Sequence, residues 1–180
     1  MPWQTRASRV VYENRWISVR EDDVVRPDGG AGIYGVVTVR HTAVFVVPVT
    51  DAGEVVLVRM FRYTTGTESI EIPAGGTDGE PPLEAAQREL REETGLEADS
   101  WRDLGPITSL NGVADAPGRV FLAQRLRPSG AASAMEEEGI TEVITVPWER
   151  AMAMVGSGEI TDGETIAPLL RAAIALGKLG

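Results

Sequence analysis

Residues Ala74–Leu96 read AGGTDGEPPLEAAQRELREETGL, a short glycine-rich loop running straight into a helix whose last turns carry Arg88, Glu89, Glu92 and Glu93. Local chemistry defines that helix. Pro81 and Pro82 stand at its start, where a missing N–H costs little, and Glu80 and Glu84 complement the positive end of the dipole. Gly95 supplies a left-handed stop. Leu83, Ala86 and Leu90 recur on one helical face, which predicts that this stripe packs on a core while the acidic stripe faces elsewhere. At about 3.6 residues per turn, Glu89, Glu92 and Glu93 fall on one strip. Like charges so close destabilise a bare helix, so the strip is either a solvated face or a seat for a hard cation such as Mg²⁺. Arg88, one turn before Glu92, can hold that carboxylate by a charge-assisted bond. Gly75, Gly76 and Gly79 permit a tight turn and let backbone carbonyls approach a ligand closely.

On the N-terminal side of this segment, RVVYENRWISVREDDVV at residues 9–25 alternates as two strands around Glu13-Asn14, and Arg26–Gly30 is a turn. Strands are expected at 33–39, 42–49 and 54–60, with Asp51-Ala52-Gly53 linking the last two. Ala43–Val49 is apolar throughout, the mark of a central strand buried on both faces, with Pro48 near its end because it cannot donate to a ladder. On the C-terminal side, strands are expected near 104–109, 119–126 and 141–146, and helices near 148–155 and 165–178. Pro128–Glu138 is a loop rich in small residues that ends in three acids. Helices interspersed among many strands, without regular βαβ alternation, indicate an α+β layered domain.

Composition narrows the function classes. The chain has 180 residues, 43% hydrophobic and 24% charged, enough for one sizeable core. A net charge of −10 argues against nucleic acid as a partner, since a phosphate-backbone binder concentrates Lys and Arg into a basic footprint. The absence of cysteine excludes disulfides, zinc thiolates and thiol nucleophiles, and it fits a cytoplasmic chain. The N-terminal residues lack the apolar core of a signal peptide, and no apolar run reaches membrane-spanning length, so no membrane partner is expected. The single histidine, His41, has no serine elbow near it, which disfavours a Ser-His-Asp hydrolase.

Glu80, seven intervening residues and then Arg88-Glu89-Leu90-Arg91-Glu92-Glu93-Thr94-Gly95-Leu96 resemble the Nudix box, GX5EX7REUXEEXGU with U aliphatic. From Glu80 onward the match is complete. Upstream, Ala74 stands where the first glycine belongs, and starting instead from Gly75 makes the loop one residue shorter. Glu71-Ile72-Pro73-Ala74-Gly75 resembles the segment before the box in ADP-ribose pyrophosphatase relatives. A solvated acidic face does not require the glycine loop, Glu80, Arg88, three carboxylates and Gly95 together, which favours the metal reading.

The resemblance implies an α/β/α sandwich with a mixed sheet over residues 31–180 and an N-terminal antiparallel strand pair over residues 1–30, used in homodimerisation. It implies hydrolysis of the pyrophosphate bond of a nucleoside diphosphate linked to another group, ADP-ribose or a related nucleotide sugar, with Mg²⁺ as cofactor and Mn²⁺ as a substitute. Glu89, Glu93, Glu92 and the Ala74 carbonyl would be the metal ligands. Arg88 would orient them, and Glu80 would brace the loop. Glu138, favoured within Glu136-Glu137-Glu138, would act as general base beside Glu92 and Arg88; the competing view is that these acids only solubilise a loop. Arg62 would meet the diphosphate unless it is a surface ion pair. Glu71 and Gly75 would touch substrate, and Trp16 would stack on a base unless it is core. Asn111 stands where ADP-ribose enzymes often carry a proline, and Ala116 where a glutamate often lies, so other diphosphate-linked substrates stay open. The alternative is a nucleotide-binding regulator that keeps the fold without turnover.

Overall fold

The computed structural model describes residues 2–130, 135–136 and 138–178. The chain begins with β1 (Gln4–Glu13), β2 (Ile17–Val25), β3 (Ala31–Val39), β4 (Ala43–Val49), β5 (Glu54–Arg62), β6 (Thr67–Glu71) and β7 (Ala74–Gly76). It continues through α1 (Pro82–Thr94), β8 (Leu96–Thr108), β9 (Ala114–Asp115), β10 (Pro117–Pro128) and β11 (Ile140–Pro147) to α2 (Trp148–Ser157) and α3 (Gly163–Ala175). The fold is α+β, and it divides into two compact units, residues 1–42 with 107–118, and residues 43–106 with 119–180.

In the first unit the strands follow the order β1-β2-β3-β9, antiparallel except for the parallel pairing of β3 with β9. The strand pair expected at residues 9–25 is therefore part of a larger sheet, with β3 paired to β2 along its whole length. Asn14 turns the first hairpin by accepting the Trp16 and Ile17 amides at 2.8 and 2.9 Å on its side-chain oxygen. β1 is an edge strand exposed along its full length, Val10, Val11 and Tyr12 included.

The second unit is built on the order β11-β5-β4-β10-β8, with β6 paired to β5 and β7 to β4. β4 is the middle strand, and Val44 to Val49 are all buried, as an apolar run covered on both faces must be. Val44 and Val46 pack with Ala85, Ala86 and Leu90 of α1 and with Phe121 and Ala123 of β10. α3 also contacts β4, and strand alternation leaves it the opposite face. α2 lies against β11 and β5. Among the described residues no helix is long and apolar enough to cross a membrane.

Two expectations for α1 are corrected. Leu83 does not join the core stripe; it is 40% exposed, because the helix meets the sheet through the small Ala85 and Ala86 and only then through Leu90. Nor does the acidic stripe face away as a whole, since Glu89 and Glu93 are buried while Glu92 is half-buried. The helix ends as its sequence dictates, with Gly95 at φ 70° and its amide donating to the Arg91 carbonyl at 2.8 Å. β8 then starts at once, well before the expected residue 104; its polar, half-exposed sequence suits the last strand of a sheet and hides it from periodicity.

Candidate active site

The site is assembled where one chain segment changes partners within the sheet. Glu71 pairs opposite Val58 in the β5 ladder, whereas Ala74 pairs opposite Phe45 in the β4 ladder. The crossing falls at Ile72-Pro73, and Pro73, having no N–H to satisfy, gives its carbonyl to the Val46 amide at 2.9 Å. The switch aims β7 at the C-terminal half of α1, and the Ala74 amide donates to Glu93 Oε2 at 3.1 Å.

Gly75 is required by proximity rather than by a turn. A Cβ built there would lie 2.1 Å from Glu89 Oε1 and 2.3 Å from its carboxyl carbon, so the Glu89 carboxylate packs directly on the β7 backbone. Gly75→Ala is expected to push Glu89 off this seat, costing about 1–3 kcal/mol of stability and lowering kcat about 10²-fold. Urea unfolding and steady-state kinetics check both, and a wild-type kcat would remove Glu89 from the site.

Arg88 organises the acids around it. Its guanidinium donates to Glu80 at 3.0 Å, Glu89 at 2.7 Å, Glu92 at 3.0 Å and the Gly76 carbonyl at 2.8 Å. Glu80 thus braces the loop, as expected. Burial works against the guanidinium's charge, but Glu80, Glu92 and Glu89 outweigh it and hold Arg88 above its ordinary value. Among the described residues no cation is bonded to Glu93, although the charge of Arg62 acts on it. Glu93 is 3% exposed, and burial first, then the neighbouring Glu89 and Glu138, pushes its carboxyl up to about 8. Glu89 is also raised, chiefly by burial, with Arg88 opposing.

A buried carboxylate raised by other carboxylates is a site that gains from a cation, and the oxygens of Glu89, Glu92 and Glu93 suit a hard divalent ion. Among the described residues no three acidic groups converge on a single point, and Arg88 engages Glu89 and Glu92. The chemistry of the donors fits a metal. Glu89 and Glu93, with Ala74 beside them, are the groups that could hold it.

Glu138 lies in an exposed turn just before β11, near enough for its charge to raise both Glu89 and Glu93. Glu136 is also exposed, and Glu137 lies outside the described residues, as do residues 131–134 of the same loop. Arg62 forms a two-pronged pair with the buried Glu71, at 2.9 and 2.5 Å. Burial raises Glu71, but Arg62 more than reverses this and holds it below the usual carboxylate range. Trp16 belongs to the first unit, where it is 57% exposed with the Arg15 guanidinium 4.4 Å over its ring. It is not a core residue.

Sequence reading missed one wall of this region. Arg62 and Glu71 line an open cleft of about 470 Å³ together with Thr161, Asp162, Gly163 and Glu164, which lead into α3. Asp162-Gly163 could have signalled a helix start two residues earlier than expected. Its place beside residues 62 and 71 is a long-range consequence of α3 packing on β4, which no local pattern encodes.

Comparison with known proteins matches residues 3–37 to a nucleoside diphosphate sugar hydrolase N-terminal domain and residues 39–167 to the NUDIX domain. The chain is 36% identical over 170 residues to an ADP-ribose pyrophosphatase of Mycobacterium tuberculosis, covering 93% of this chain and 82% of that protein. It is 34% identical to an ADP-ribose pyrophosphatase of Bacillus subtilis, covering 90% and 88% respectively. A crystal structure of an ADP compounds hydrolase superposes with a TM-score of 0.86 at 22% identity over all of this chain and 97% of the other, a likeness of fold.

Proposed function

The chain belongs to the Nudix hydrolase family, and from that premise we propose that it hydrolyses the pyrophosphate bond of a nucleoside diphosphate sugar, ADP-ribose first among them, giving a nucleoside monophosphate and a sugar phosphate. The observation that carries this reading is the pair of buried carboxylates, Glu89 packed on the Gly75 backbone and Glu93 bonded to the Ala74 amide, with Arg88 bracing the acids. Nudix hydrolases generally need a divalent metal; we take it here to be Mg²⁺, with Mn²⁺ as a substitute. Bound at Glu89, Glu93 and the Ala74 carbonyl, with Glu92 as a further ligand, the ion would offset the charge of the diphosphate and make a water more acidic.

The remaining residues bind, orient and move protons. Arg88 holds Glu92 and Glu89 in place and keeps the loop closed through the Gly76 carbonyl. Glu138, exposed and electrostatically close to Glu89 and Glu93, takes the proton of the attacking water. Arg62 keeps side-chain surface open to the cleft while paired to Glu71, and so can bind a phosphoryl oxygen with the guanidinium edge that Glu71 leaves free. Glu71, on the wall of the cleft, and Gly75 would touch the substrate. Trp16, 57% exposed with Arg15 over its ring, would stack on a base. The exposed edge strand β1, with Val10, Val11 and Tyr12, supports association of two copies through the N-terminal sheet. The cysteine-free sequence accords with work in the cytoplasm.

The test is incubation with Mg²⁺ and a panel of ADP-ribose, sugar nucleotides, dinucleotides and nucleoside triphosphates, with products separated chromatographically. Release of a nucleoside monophosphate from ADP-ribose or a sugar nucleotide, abolished by a chelator, is expected. Tight binding of the same compounds without product would overturn the reading in favour of a regulator. Because Asn111 and Ala116 depart from the ADP-ribose pattern, the sugar nucleotides are an essential arm of the panel.

A further inference from the structure

We propose that Thr165 is a positioning residue for this site, its buried hydroxyl clamping the strand switch that sets Ala74 against Glu93. This rests on the metal-dependent reading above. The switch spans Ile72-Pro73, where the chain leaves the β5 ladder and joins that of β4. Pro73 has no N–H, so Ile72 carries the one amide that the two-residue crossing must satisfy. That amide donates to Thr165 Oγ1 at 3.2 Å, across 93 residues of sequence. Both residues are essentially inaccessible to water, which leaves no other partner if the hydroxyl is lost.

Thr165 is itself well held. It stands in the first turn of α3, its amide donates to the Asp162 carbonyl at 3.2 Å, and α3 packs on β4. A threonine on a helix commonly turns its hydroxyl back on its own helix, whereas this one reaches the crossing between β6 and β7. On one side of the clamped amide hangs Glu71 with its Arg62 partner, and on the other Ala74 with its bond to Glu93. Loosening Ile72 therefore lets the carboxylate seat and the arginine move independently. Such outer partners of metal-binding groups commonly matter about 10- to 100-fold when removed.

The experiment compares Thr165→Val, which keeps the shape but removes the acceptor, with Thr165→Ser, which keeps the acceptor. In the full chain, hydrogen exchange is read at Ile72 and Ala74, and Mg²⁺ is titrated while following both thermal stabilisation and hydrolysis. The valine variant is expected to exchange faster at both amides, to need about tenfold more Mg²⁺ for half-maximal stabilisation, and to lose about tenfold in kcat with KM little changed. The serine variant should recover all three. If valine matches wild type in the Mg²⁺ midpoint and in kcat, whatever its melting temperature, Thr165 is only structural and the proposal fails. Should the wild-type chain hydrolyse none of the compounds, the functional reading fails by itself, and the stabilisation midpoint and exchange rates still decide Thr165.

Discussion

Glu93→Gln is expected to lower kcat about 10³-fold or more while leaving the protein folded and, without metal, more stable than wild type at neutral and alkaline pH. The two effects share one cause. Glu93 is buried beside Glu89, with Glu138 adding to the repulsion, and the Ala74 amide bonded to it and the charge of Arg62 offset this in part. Its carboxyl titrates at about 8 in the folded protein, against about 4.3 in an unfolded chain. Between those values the folded state binds the extra proton, so stability falls as pH rises through the window and the penalty is complete above about 8. At pH 7 the cost is about 3 kcal/mol. Glutamine keeps the shape, can still accept from Ala74, and carries no charge to bury. It also removes a ligand that a divalent ion would neutralise. The check is thermal unfolding in a chelator from about pH 6 to about pH 9, beside hydrolysis in Mg²⁺. Wild type should lose stability with rising pH and regain it with Mg²⁺; the variant should do neither. Normal turnover in Glu93→Gln would end the metal assignment.

Much of this architecture is readable in the sequence because local rules and long-range packing agree there. The Ala43–Val49 run could only be a central strand, and it is the middle of its sheet. Pro81-Pro82 and Gly95 bracket α1 as their backbone preferences require. The chemistry of the box is likewise local, since Arg88, Glu89, Glu92 and Glu93 share two helical turns. What could not be read was which acids are buried. Leu83, an apolar residue in phase with the core, stays out, and Glu89 and Glu93 go in, because the two alanines bring the helix close to β7 at its far end. Arg62 meeting Glu71 is a side-chain contact between strands, for the β5–β6 register sets Arg62 opposite Thr67 and Glu71 opposite Val58. Thr165 and Asp162 come from the end of the chain and reach the site only through packing on β4. A polar edge strand such as β8 has too weak an alternation to announce its start.

The second large effect is expected at Arg62, and it separates structure from chemistry. Arg62→Ala strands the Glu71 carboxylate, which is buried and holds its charge because of that guanidinium. Breaking a buried pair from one side costs about 3–5 kcal/mol, and the lower end applies because the Arg62 side chain is 42% exposed and water can reach it. The acid dependence should change sign with it. In wild type Glu71 titrates below its unfolded value, so its contribution is present above that value and lost as pH falls through the folded one. Without Arg62, burial, the largest influence on Glu71, is opposed by the Ser69 hydrogen bond and outweighs it, so the folded state holds the proton more tightly than the unfolded chain and stability then falls as pH rises. Adding Glu71→Gln removes the stranded charge, so the double variant should regain stability to within about 1 kcal/mol of Glu71→Gln alone. Activity should not return with it. If Arg62 binds a phosphoryl oxygen, kcat/KM stays about 10²-fold down in the double variant while Glu71→Gln alone is far less impaired. Recovery of activity together with stability would reduce Arg62 to the counter-ion of Glu71, and the diphosphate would then need another cation from the rest of the cleft.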